Sequence, residues 1–146
     1  MELFIKHGIY TKEEIEARAE IHIENYSTVI SIEAKTMVDM IRHQILPAVS
    51  RYASDLCQRA ASKEGMGVPC KYETATAKEV GKLTDTLLSA CDKMEKDLES
   101  KKAMDYCHQT IIPDMAKARE AADQLETLTD SKYWPFPVYS DLLFSV

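Results

Sequence analysis

Between Ile15 and Leu56 the apolar residues recur in steps of four, four and three: Ile15, Ala19, Ile23, Tyr26, Ile30, Ala34, Met37, Ile41, Ile45, Ala48, Tyr52 and Leu56. Such an eleven-residue repeat, about 3.67 residues per turn, keeps one stripe of a helix facing a partner with little supercoiling. No strand can use the pattern, because successive side chains of a strand alternate between faces. Thr11 followed by Glu14 has capping-box spacing, in which the hydroxyl accepts the backbone N–H three residues on and the carboxylate reaches back to the cap. The spacing predicts a lead-in over 1–10 and one long helix over about 12–61.

That helix carries a second apolar set. Ile21, Ile32, Leu46 and Cys57 fall on roughly the opposite side of the wheel, interrupted by Lys35, Asp39 and Arg42. A helix apolar on two sides is normally buried on two sides. Either it runs through the middle of its own bundle, or one face meets something outside this chain. On the second reading Ile21, Ile32 and Leu46 are candidate docking residues.

Residues 62–73 collect Gly65, Gly67 and Pro69 and read as a loop, after which Thr74 or Thr76 can cap a helix over about 75–101. In it Val80, Leu83, Leu87, Cys91, Met94 and Leu98 step by three and four, while the stretch DKMEKDLESKK forms a charged face expected to meet solvent. Asp92 before Lys96 and Asp97 before Lys101 have the spacing of intrahelical ion pairs. A third helix, over about 102–129, runs through Met104, Cys107, Ile111, Met115, Ala118, Ala122, Leu125 and Leu128. Pro47 and Pro113 lie inside the first and third helices, each predicting a kink or a break. Their surroundings, HQ-ILP and HQTIIP, read as coincidence or matched kinks and not as a duplication.

The last segment, 130–146, is of another kind. Residues 132–146 read KYWPFPVYSDLLFSV, crowding Tyr133, Trp134, Phe136, Tyr139 and Phe144 around Pro135 and Pro137. The prolines deny the backbone regular helix and bias Trp134 and Phe136 toward extended geometry. An extended strip of this composition can lay aromatic rings in grooves between helices, with a short turn near its end. The predicted fold is therefore all-α: a bundle built on one long N-terminal helix and a helical hairpin, with an extended aromatic tail. Trp134, Phe136, Tyr139 and Phe144 are the tail's candidate docking residues, either on the chain's own bundle or on another surface.

Chemistry-bearing groups are sparse. Asp105 and His108, and Asp39 and His43, have one-turn spacing, but a di-iron bundle needs a Glu from each of two helices and a Glu-x-x-His from each of two others. No nucleophile elbow or P-loop occurs. Cys107 and His108 are adjacent, and adjacent residues of a helix do not face each other. A net charge of -6 with interspersed signs disfavours a nucleic-acid partner. Four cysteines without a C-x-x-C pair read as reduced thiols, the leading ELFIKHG lacks the apolar core of a signal peptide, and no run approaches the roughly 18 apolar residues of a membrane span. A cytoplasmic protein without membrane association is expected.

Three stretches carry a more specific likeness. ELFIKHGIYTKEEIEARAEI, then ENYSTVISIEAKTMVDMIRHQILPAV with RY shortly after, and SKYWPFPVYSDLLFSV resemble the C-terminal region of type III glutamine synthetases. The aromatic ending is the most specific element, since helix packing does not demand prolines alternating with aromatics. The likeness covers about half the chain; residues 62–110 match only as helix, loop and helix. It implies a parent enzyme that joins ammonia to glutamate at the expense of ATP, with Mg or Mn held by carboxylates in a catalytic region preceding the matched portion. None of those motifs stands in this sequence, so the resemblance implies no catalytic, cofactor or metal residue here. It implies instead a helical domain that packs on the catalytic region or between subunits of a homo-oligomer, present as an excised piece or as a split or truncated gene product. A stand-alone interaction module derived from the enzyme is the other reading.

Overall fold

The computed structural model describes residues 2–100, 104–137 and 139–144, and among them it contains helices, turns and no strand. The long helix begins where the capping box places it. Thr11 accepts from the Glu14 backbone N–H at 3.2 Å, Glu14 accepts from the Thr11 N–H at 2.8 Å, and α2 runs Lys12–Met40. Ahead of it the lead-in holds a short helix, α1 (Glu2–Lys6), closed at Gly8, whose φ of 65° suits a residue without Cβ.

At Pro47 the helix neither stops nor breaks. Residues Ile41–Ile45 form a π turn, and α3 continues over Leu46–Gly65. The Leu46 N–H bonds to the Ile41 carbonyl, five residues back. Pro47 has no N–H to offer, and its ring would press on the carbonyl four residues before it; the wider turn relieves that conflict. Pro113 is handled the same way. After α5 (Met104–Tyr106), residues Cys107–Ile111 form a second π turn, the Ile112 N–H bonds to the Cys107 carbonyl, and α6 covers Ile112–Leu128. Both prolines thus sit two residues past a π turn, so the segments 41–47 and 107–113 correspond position for position in the structure, with only Ile45/Ile111 and Pro47/Pro113 identical.

The predicted loop is shorter than its composition suggests. α3 persists to Gly65, Gly67 turns the chain with φ 69°, and α4 spans Lys71–Ser100, starting four residues before the expected position. Thr74 does not cap this helix: it already lies inside, and its hydroxyl donates back to the Cys70 carbonyl at 2.9 Å. Pro69 is what keeps the chain extended just before α4. The junction expected between 101 and 102 lies outside the described residues.

α4 packs along α3 on one side and α6 on the other, and these two pairings dominate the tertiary structure. The core is built from the predicted stripes: Ala34, Ile41, Ile45, Ala48, Tyr52 and Leu56 from the long helix, with Val80, Leu87, Cys91 and Met94 from α4, Ile111 from the second π turn, and Ala118 and Leu125 from α6. Toward the N-terminus the stripe of the long helix loses its cover. Ile15, Ala19, Tyr26 and Ile30 are only half-buried, and Ile23 is exposed.

The tail departs from a plain extended strip. Asp130 organises its start: its carbonyl accepts from Tyr133 and Trp134, and its side chain accepts from the Lys132 N–H at 2.9 Å. Residues past Pro137 are free of proline, and Tyr139–Phe144 forms a short helix, α7.

Candidate functional site

The polar residues that look most like chemistry turn out to lock helices together. Arg42, carried into the interhelical space by the first π turn, donates to Asp92 at 2.7 Å and to Glu95 at 2.5 Å. Glu95, and then Asp92, raise the guanidinium's already high pKa. Lys93 donates to both oxygens of Asp114, at 2.7 and 2.6 Å, and to Asp97 at 3.1 Å. Asp114, then Asp97, hold its ammonium above the ordinary lysine range. Asp114 is 3% exposed, a buried carboxylate. Lys63 bridges to Glu73 across the α3–α4 turn, and this bond lowers the Glu73 carboxyl. The charged face of α4 is therefore not simply solvated. Asp92 pairs with Arg42 across the helix interface, while Asp97 pairs with Lys93 one turn back on α4, whose ammonium reaches on to Asp114 of α6.

Burial pushes the Tyr52 phenol up to about 12, with Tyr72 adding to the shift. Burial likewise pushes the Cys91 thiol up, away from the thiolate a nucleophile needs. His43 meets Asp39 at 2.8 Å on an exposed helix face, and Asp105 and His108 are both exposed. Among the described residues no three His, Cys, Asp or Glu side chains gather as metal ligands.

What the structure does assemble is uncovered apolar surface. Ile21 and Ile32, both on α2, are 56% and 58% exposed. Leu46 differs from its two companions: it packs, half-buried, against the core, since the extra residue of the π turn shifts the helical register ahead of it. Around α1 the side chains of Leu3, Phe4 and Ile5 are exposed too. A groove of about 430 Å³ opens between α2 and α6, lined by Ile32, Met37, Met40, Met115, Ala118 and Arg119 among others. Sequence reasoning missed this groove, because Met40 belongs to neither apolar stripe and the pairing of α2 with α6 is a tertiary fact.

The tail residues separate into two groups. Trp134 is 8% exposed and packs on the core, its ring meeting Phe136 edge-on at 6.0 Å. Tyr133, next to it, tilts against Tyr52 at 5.4 Å. The side chains of Tyr139 and Phe144 lie outside the described residues, while Leu142 and Leu143 between them are exposed. No helix among the described residues is long and apolar enough to cross a membrane.

Comparison with known proteins gives this surface a context. A family model described as the glutamine synthetase C-terminal domain matches residues 1–64, the lead-in and almost all of the long helix. Over its whole length the chain is 36% identical to a glutamine synthetase of Butyrivibrio fibrisolvens, of which it covers 22%. It is 28% identical to a type-3 glutamine synthetase of Dictyostelium discoideum over 99% of the chain and 21% of that relative. A glutamine synthetase of Bacteroides fragilis is 25% identical over 98% of the chain and 21% of that relative. The chain spans about a fifth of the length of the curated relatives it matches. These alignments run through 62–110, where the sequence likeness rested on helix pattern alone. No solved structure matches the chain.

Proposed function

We propose that this chain, similar to glutamine synthetases and matched over residues 1–64 by the model of their C-terminal domain, is a noncatalytic helical region of a type III enzyme that packs on the catalytic region or between subunits of the parent oligomer. The parent reaction, ATP-dependent ligation of ammonia to glutamate with Mg or Mn, belongs to the remaining four-fifths of the relatives' length. One observation carries the docking role: the apolar stripe of the long helix, buried from Ala34 to Leu56, continues N-terminally past the end of the bundle with Tyr26, Ala19 and Ile15 only half-buried and Ile23 exposed, while Ile21 is exposed on the opposite side of the same helix. Scattered exposed apolar residues are ordinary, but a contiguous face on one helix marks a surface awaiting a partner. Trp134 and Phe136 act on this reading as a clasp that holds the tail to the bundle, and α7 presents Leu142 and Leu143 outward as a second contact. Purified chain supplied with ATP, glutamate, ammonia and Mg should form no glutamine; turnover above the protein-free blank would place catalytic groups in this region and overturn the proposal.

A further inference from the structure

Resting on that docking reading, we infer that the surface covering the N-terminal arm of α2 is an apolar groove rimmed by Lys and Arg on the rest of the enzyme chain, and not the arm of a second copy. The arm is the part of α2 that outruns its neighbours. Cys107 Sγ lies 4.0 Å from the Ser27 carbonyl, which marks where the second π turn meets the helix. N-terminal to that contact, no side chain from Lys12 to Glu24 is buried. At 1.5 Å per residue this is roughly 20 Å of helix with an apolar face that no described element buries.

The shape of the partner follows from two isoleucines. Ile21 and Ile23 are both exposed and two residues apart, which is about 200° around the helix at 3.6 residues per turn. One flat surface cannot cover both. A groove that receives the helix can.

The charge of the partner follows from the glutamates. Residues 12–24 carry five glutamates against Lys12 and Arg18, a net -3 with His22 neutral. Both cations are already engaged: Lys12 lies 3.6 Å from Glu16, and Arg18 sits over the Tyr10 ring at 4.6 Å. Glu14 is used in the capping box. Glu13, Glu20 and Glu24 therefore face whatever approaches with little local compensation. Two arms laid together would set like charges against each other in a contact from which water is being expelled, where Coulomb repulsion is least screened. A nucleic-acid backbone or an anionic membrane surface is repelled by the same carboxylates. A groove with basic edges satisfies the isoleucines and the glutamates together.

The test uses, as probe, the Butyrivibrio fibrisolvens glutamine synthetase lacking the region aligned with this chain, titrated with the intact 146-residue chain in a calorimeter. Binding should weaken about tenfold or more between low and roughly 300 mM salt, as charge-guided contacts do. Glu20→Lys with Glu24→Lys should weaken it about tenfold at low salt, and Ile21→Ser with Ile23→Ser should also weaken it, while Glu126→Lys on the far helix leaves it unchanged. Far-UV circular dichroism confirms that each variant stays helical. Binding indifferent to salt and to the charge reversal overturns the inference while leaving the docking reading intact. An arm-dependent dimer of the chain alone, seen by sedimentation at the same concentrations, overturns it as well. Absence of binding by the unaltered chain overturns the docking reading and the inference with it.

Discussion

Replacing Trp134 by alanine separates a structural clasp from a free docking tail. A tryptophan covers roughly 150–250 Å² of apolar and aromatic surface, worth about 4–6 kcal/mol at 25 cal/mol per Å² as an upper bound. Trp134 is 8% exposed, so nearly all of that area is covered in the folded chain, and its edge-on contact with Phe136 at 6.0 Å would be lost with it. Measured truncations of large buried aromatics cost about 3–5 kcal/mol. The lower end applies, because a nonhelical strip between a turn and two prolines collapses toward the gap more readily than a helix can. About 3 kcal/mol in a chain of this size lowers Tm by roughly 9 °C. The assay is thermal unfolding followed by ellipticity at 222 nm. Trp134 is also the single tryptophan, so the unaltered chain reports on itself: its emission should be blue-shifted and poorly quenched by acrylamide until the same transition. A Tm lowered by less than about 2 °C, or emission typical of solvated indole in the folded chain, would refute the reasoning and return Trp134 to the list of exposed docking groups.

Two further expectations follow from the interhelical ion pairs. Lys93→Met removes the main cation from the buried carboxylate of Asp114 and should cost about 3 kcal/mol, whereas Lys96→Met, on an exposed position of the same helix, should stay within about 0.5 kcal/mol in urea titrations; equal costs would sink the assignment. The Lys63–Glu73 bridge sets a pH dependence. Its bond to Lys63 lowers the Glu73 carboxyl below its ordinary 4.5, so its contribution is fully present above that value and is lost as pH falls through the lowered folded value. The Tm difference between the unaltered chain and Glu73→Gln should hold constant from neutral pH to about 5 and shrink below about 4.5. A difference that stays flat to pH 3 would contradict it.

The helices were legible because the signals that specify them are local. The capping box at Thr11 and Glu14, the four-four-three stripe and the stripe of α4 each rest on local spacing; the cap forms as expected, and the stripes reappear in the core from Ile30 to Leu56 and from Val80 to Leu98. Pro47 and Pro113 were legible as conflicts. Their resolution by π turns was not, since it depends on the helix being held on both sides by tertiary contacts that favour widening one turn over ending the helix. The role of DKMEKDLESKK was misread for a related reason. Spacing shows that Asp92 can reach Lys96, but not that Arg42, fifty residues away, stands closer across the interface. The same holds for the α2–α6 groove and the buried Asp114. The exposed isoleucines of the arm were visible as a second stripe, yet only the placement of the second π turn against Ser27 shows how far the helix runs beyond its cover.

The most direct test of the account is a chimera in which this chain replaces the corresponding C-terminal fifth of the Butyrivibrio fibrisolvens enzyme, compared with that enzyme simply truncated there. Glutamine formation and assembly size are measured together, by coupled assay and by light scattering behind a sizing column. The account predicts that truncation abolishes or severely reduces assembly and activity, and that the chimera restores both, with Ile21→Ser and Ile23→Ser undoing the rescue. A truncated enzyme that assembles and turns over as well as the intact one would contradict the claim that this helical region docks on the catalytic body.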